Sequence, residues 1–174
     1  RRAIQPGDAI DTGTLDYWFQ PTMSLETGQI IGLETLVRWV HPVDGVIAPD
    51  DFLPMVKELG LMGALDLLSM TAALTEKRNL NHAGFGDIGI AFNASPELLS
   101  HPDFIRRLVW GVEAAGIERE QVTIEVLETT NFGDASETQS HAAICMTEDF
   151  RSTLTILVLA LRACHTSRNL MSQG

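Results

Sequence analysis

Apolar and polar residues alternate in two rhythms along this chain, and each change of rhythm marks an element. Leu15-Asp16-Tyr17-Trp18-Phe19-Gln20-Pro21 is rich in aromatic residues and closes on a proline, as a strand does. Glu26-Thr27-Gly28-Gln29 supplies a turn, and an apolar run then resumes from Ile30 through Glu34 and Arg38 until His41-Pro42 stops it. Two such runs joined by a short turn predict an antiparallel hairpin. Residues 1–14 read as a short helical lead followed by a turn at Asp11-Thr12-Gly13-Thr14.

The rhythm then changes to the helical one. Residues 43–49 read as a loop, and Asp50 and Asp51 stand where a helix start welcomes acidic caps. Phe52, Leu53, Met55, Val56 and Leu59 form a helical stripe that Gly60 ends. A longer helix is expected from residue 61 to about 80, with Glu76-Lys77-Arg78-Asn79 as its polar end. Met62 and Met70 fit this helix as core filler rather than as a methionine-specific site. Residues 88–95 read as a third strand, Ser95-Pro96-Glu97 as a helix start, residues 102–115 as a helix closed by Gly116, and residues 121–128 as a fourth strand. Strand, helix, strand, helix, strand is the alternation of a parallel sheet or barrel. Beyond it, a loop, a short helix ending near Ile144 and a brief strand over residues 145–150 are expected, then a helix-compatible apolar run over 151–163 and a polar tail.

Composition narrows the function classes. The 12 basic against 23 acidic side chains give a net charge of −11. A non-specific DNA or RNA surface needs a basic stripe, so nucleic acid is excluded as a partner. A phosphate ligand is not, since a few arginines or bound cations reverse the potential locally. Cys145 and Cys164 form neither a disulfide framework nor a metal spacing, which makes a reduced, cytoplasmic chain the default. The most apolar run, residues 154–163, contains Arg162 and falls short of the roughly 20 residues of a membrane helix. The chain opens on Arg1-Arg2 and reads as a piece of a longer protein, which leaves open an anchor elsewhere in that parent.

Candidate chemistry gathers where the strands give out. A lone Glu34 in an apolar run is costly to bury without a partner or a metal; the plain alternative is an exposed acid on an edge strand. Glu34, Asn93, Glu125 and the pair Glu148-Asp149 fall near successive strand ends, which meet on one face of a parallel barrel. Such hard oxygen donors suit Mg²⁺, Mn²⁺ or Ca²⁺. A metal there would polarise a phosphate and lower the pKa of a bound water, as phosphodiester hydrolysis requires. Arg38 offers a bidentate donor for phosphate. Structural roles compete at each position: Glu125 and Glu128 as caps or solvent-facing acids, Asn93 as a turn residue, His41 as a strand end, Asp50 and Asp51 as caps.

Several segments fall in order along residues 15–128: Trp18-Phe19-Gln20-Pro21, Glu34-Thr35-Leu36-Val37-Arg38-Trp39, His41-Pro42, Gly45, Pro49, Phe52-Leu53-Pro54, Glu58-Leu59-Gly60-Leu61, Phe92-Asn93-Ala94-Ser95, Pro102-Asp103-Phe104 and Glu125-Val126-Leu127-Glu128. On these the chain resembles the EAL family of cyclic di-GMP phosphodiesterase domains. They match its YQP strand, its EALxRW signature (with Thr35 in place of alanine), its HPxxG continuation, its NxS strand end and its ExTE motif. The resemblance implies one EAL-like domain over residues 1–174, an α/β, TIM-like barrel of which the first half is clearly represented. It implies hydrolysis of cyclic di-GMP to pGpG with Mg²⁺ or Mn²⁺. Glu34, Asn93 and Glu125 would be metal ligands, with Glu34 and Glu125 catalytic through the metal, and Gln20, Leu36 and Arg38 would contact the dinucleotide.

The second half departs from the pattern. Glu148-Asp149-Phe150 approximates the family's DDFGTG motif without its glycines, and would place further metal ligands at Glu148 and Asp149. No lysine follows Lys77, where the family carries a catalytic one. Weak or lost hydrolysis is therefore expected, with a degenerate module that binds the dinucleotide or a protein partner as the alternative. A barrel short of strands has open edges, so either the chain forms a homodimer, or it is an incomplete or rearranged copy, or residues are missing between Ile144 and Gly174.

Overall fold

The computed structural model describes residues 7, 9, 10, 13–128 and 155–160, with 127–128 and 155–160 as backbone only. The expected hairpin forms. Strand β1 (Leu15–Met23) pairs antiparallel with β2 (Ile30–His41), from Leu15 opposite Trp39 to Met23 opposite Ile30. The turn closes through Ser24 N–H to the Gln29 carbonyl at 2.9 Å, with Gly28 at φ 68°, a conformation that favours glycine. Pro21 does not end β1, which continues to Met23; proline is tolerated because it lies on an outer strand of the described sheet.

Three further boundaries differ from expectation. Part of the loop after Pro42 is a short strand, β3 (Gly45–Ile47), that folds back on β2 as Trp39 faces Ile47. Three residues leave too short a pattern to read. Helix α1 (Pro49–Glu58) has Ala48 at its N-cap, so Asp50 and Asp51 are not caps. They occupy the first turn, where the helix dipole favours acids. The apolar run assigned as helix-compatible contains instead β6 (Thr155–Ala160), parallel to β5. A short apolar run fits a buried parallel strand as well as a helix, and only a neighbouring strand to pair with decides.

Helix α2 (Met62–His82) follows α1, and β4 (Gly89–Ala94) lies parallel to β2. The reading of a helix start at Ser95 holds: it is the N-cap of α3 (Pro96–Leu99), and its hydroxyl accepts from Leu98 N–H. The helix expected over 102–115 is α4 (Phe104–Ala114), and β5 (Val122–Glu128) lies parallel to β4. The strand order is β1-β2-β4-β5-β6, with β3 attached to β2. The brief strand expected over 145–150 and the short helix before it lie outside the described residues.

The helices cover one face of this sheet. Ile90, Phe92 and Ala94 of β4 and Val122, Ile124 and Val126 of β5 pack with Leu74 of α2 and Phe104, Leu108 and Val112 of α4. Trp39 anchors a second cluster with Phe52, Val56 and Leu65. Each large apolar side chain so buried contributes about 1.5–3 kcal/mol of transfer free energy. Among the described residues one cation joins the interior: Lys77, read as part of a polar end, is fully buried. Its ammonium donates to Asn81 Oδ1 at 2.8 Å and to the Gly86 carbonyl, which also accepts from Gln121 Nε2. Burial lowers the Lys77 pKa, and Asp87 opposes that shift.

Candidate active site

Strand side chains alternate between faces, so register decides which residues meet. Gln20 lies opposite Glu34, Trp18 opposite Leu36 and Asp16 opposite Arg38. Glu34 lies level with Ala91, and Asn93 with Glu125. All of these are on the face away from the helices, while Thr35, Phe92 and Ile124 turn to the core. The structure therefore brings Gln20, Glu34, Leu36, Arg38, Asn93 and Glu125 to one face. Glu34 sits inside β2 rather than at its end, because β2 runs on beyond its pairing with β4 at Thr35 to meet β3. Glu148 and Asp149 lie outside the described residues.

Three groups converge at the centre. Asn93 Nδ2 donates to Glu34 Oε1 at 3.3 Å across 59 positions of sequence. Glu125 has a raised pKa, chiefly because burial penalises its charge and then because the Glu34 carboxylate repels it. Among the described residues no three His, Cys, Asp or Glu side chains form a metal-type cluster; the donor set here is two carboxylates and one amide. That set fits a hard divalent cation, whose charge would relieve the repulsion between the two acids. The amide spends its N–H on Glu34, which leaves its carbonyl oxygen as the third donor.

Along β2 from this centre, the Arg38 guanidinium stands 5.0 Å from the centroid of the Trp18 ring, and its Nη1 donates to the Val37 carbonyl at 2.8 Å. Trp18 is 49% exposed, so the stacked pair is open to a ligand. Two supporting residues were given no role at the site from the sequence. Trp18 stacks on Arg38, and Asp66 of α2, 5% exposed, accepts the Ser95 N–H at 2.8 Å just beyond Asn93. Burial pushes the Asp66 pKa up to about 6 against the Ser95 hydrogen bonds, with Glu97 adding to the rise. An acid set between Leu65 and Leu67 on a core-facing stripe was the available signal. Burial also raises the Tyr17 pKa, offset by the Ser69 hydroxyl and reinforced by Asp66. His41 proves a strand end, its Nδ1 within 3.0 Å of the Asp44 amide nitrogen where the chain turns into β3.

A mixed sheet whose β2, β4, β5 and β6 run parallel, with helices on one face and acids, an amide and a guanidinium on the other, is what part of an α/β barrel presents. Comparison with known proteins agrees. The model of the EAL domain matches residues 4–153, and the chain belongs to the EAL domain family. An uncharacterized Mycobacterium tuberculosis protein, Rv1354c, is 32% identical over 120 residues, covering 68% of this chain and 19% of the relative. The cyclic di-GMP phosphodiesterase NbdA of Pseudomonas aeruginosa is 29% identical over 120 residues, covering 69% and 15%. The solved phosphodiesterase PaMucR in its c-di-GMP complex superposes with a TM-score of 0.68 and 26% identity, over 80% of this chain and 58% of that one. The chain thus spans less than a fifth of these two curated relatives. Phosphodiesterases of the family generally depend on a metal. No helix among the described residues is long and apolar enough to cross a membrane.

Proposed function

We propose that this chain is a single EAL domain that binds cyclic di-GMP on the open face of its sheet, with Mg²⁺ or Mn²⁺ held by Glu34, Asn93 and Glu125. The observation that carries this reading is the convergence of the three donors on one face, with Asn93 bonded to Glu34 and level with Glu125. When bound, the cation supplies Lewis-acid polarisation of the phosphodiester and an acidified water. The chain's own residues bind and orient. Arg38, held against Trp18, presents its guanidinium to a phosphate; Gln20 offers amide hydrogen bonds and Leu36 an apolar contact beside it. Burial, and then the Glu34 carboxylate beside it, raise the Glu125 pKa, a cost that a bound cation would relieve.

Turnover by a polypeptide of this sequence is expected to be weak. Glu148-Asp149-Phe150 matches the family's second-metal motif only loosely, without its glycines. The same observation favours the second reading, a receptor that binds the dinucleotide without cleaving it. A cytoplasmic setting is supported by two cysteines that form no framework. A second copy is one way to cover the outer edges of β1 and β6, which end the described sheet.

Isothermal titration of cyclic di-GMP with and without Mg²⁺, followed by chromatography of the nucleotide, tests the proposal. Mg²⁺-dependent binding that Glu34→Gln abolishes, with slow or no conversion to pGpG, is expected. Rapid conversion would overturn the weak turnover, and absence of binding would overturn the site.

A further inference from the structure

Away from the sheet's open face, a groove of about 510 Å³ runs along the outside of the molecule between α2 and α4. We propose that this groove docks an acidic amphipathic helix of a partner protein, one carrying two carboxylates about two turns apart on either side of an apolar residue.

The groove is built by two matched stripes. Thr71, Leu74, Thr75 and Arg78 face it from α2, and Arg107, Trp110, Gly111 and Ala114 from α4, each at the i, i+3, i+4, i+7 spacing of one helix face. The helices touch at its floor, where a Cβ on Gly111 would lie 2.9 Å from Leu74 Cδ1, so glycine lets them approach. Because β2, β4 and β5 are parallel, α2 and α4 each return the chain to the start of the next strand and run the same way.

That direction sets the charges. Arg78 lies four residues beyond Leu74 and Arg107 four residues before Gly111, so with Leu74 and Gly111 level the two cations bracket the groove. At 1.5 Å per residue they stand about 12 Å apart along the axis, the span of roughly eight residues of a partner helix. Neither forms an ion pair among the described residues, whereas Arg106 pairs with Asp103 and Arg119 with Glu113. Two unpaired guanidinium groups at one groove of a chain with net charge −11 are a local reversal of sign. Between them Trp110 is 72% exposed beside an apolar floor. Trp and Arg are the residue types enriched where binding energy concentrates, and an open apolar groove between helices is the usual seat of an amphipathic helix. The charges choose an acidic one.

The probe is a fluorescein-labelled helical peptide of about 16 residues with Glu at i and i+7 and Leu at i+3 and i+4, and a control with Lys in place of Glu. Fluorescence anisotropy is read against the full chain and against vesicles of phosphatidylserine and phosphatidylcholine. Saturable binding of the Glu peptide is expected, weakened about tenfold by each of Arg78→Glu, Arg107→Glu and Trp110→Ala. The double variant Arg78→Glu/Arg107→Glu is expected to bind the Lys peptide instead. All three positions are exposed, so the variants test contact rather than folding. The proposal is overturned by absence of saturable Glu-peptide binding, by binding that ignores the sign of the peptide charges, or by vesicle binding without peptide binding.

Discussion

On the helix-covered face of the sheet, Ile90, Phe92, Val122 and Ile124 are each no more than 1% exposed, whereas one position along each strand Asn93 and Glu125 stay only partly buried. The same two strands thus divide their work by parity. Residues facing α2 and α4 give up contact with water and provide the core, and residues facing away hold polar groups close together at some electrostatic cost. Thr35 and Glu34 show the same division on β2: Thr35 is 2% exposed in the core, while Glu34 meets Asn93 across the open face. Core stability and the proposed ligand chemistry therefore fall on opposite faces of the same short strands.

The sharpest break of this comparison pairs Phe92→Ala with Asn93→Ala. Phe92→Ala removes a fully buried ring and should cost about 3–5 kcal/mol in chemical denaturation. Asn93→Ala loses one long hydrogen bond and should cost less than about 1 kcal/mol, while Mn²⁺ affinity measured by calorimetry falls at least tenfold. Equal losses of stability in the two variants would refute the division.

Asp66 is a buried carboxylate of α2 on the helix-covered side, and it accepts the Ser95 N–H just beyond the end of β4. Its pKa is raised to about 6 from 3.8, so the folded state holds the proton more tightly than the unfolded one. The stability this provides is complete below pH about 4 and is lost as pH rises through about 6. Asp66→Asn removes that dependence, so its stability relative to the parent should rise by roughly 2–3 kcal/mol between pH 4 and pH 7. Parallel pH profiles for the two proteins would show that Asp66 titrates normally.

Smaller effects refine the comparison. Thr35 Oγ1 is buried without a hydrogen-bond partner among the described residues, so the isosteric Thr35→Val should stabilise the fold by about 1 kcal/mol and leave ligand binding unchanged. Thermal denaturation read beside cyclic di-GMP titration checks both halves of that statement. Trp18→Leu should change stability by less than about 1 kcal/mol, since the cation–π contact is half-exposed, yet weaken dinucleotide binding by freeing Arg38. Unchanged affinity would remove Trp18 from the site.

Much of this arrangement was legible along the chain. The aromatic run ending near Pro21, the turn at Gly28 and the apolar run around Glu34 sufficed for the hairpin, because a hairpin depends on local spacing and turn chemistry. Ser95-Pro96 marked a helix start for the same reason. The short strand β3 and the strand β6 were not legible. Each is a brief segment whose state depends on a partner strand, Trp39 facing Ile47 in one case and Glu125 level with Leu157 in the other.

The sequence by itself determined the elements with strong periodicity, the acidic balance of the chain and the inventory of oxygen donors at Glu34, Asn93 and Glu125, since these follow from neighbours within a turn or two. Only the tertiary structure decided which donors share a face, how Arg38 comes to lie over Trp18, why Lys77 and Asp66 are interior, and that Arg78 and Arg107 bracket one groove. The physical reason is register. A shift of one residue in a parallel pair carries every side chain to the opposite face, and register is set by the packing of the whole sheet against its helices rather than by any local signal.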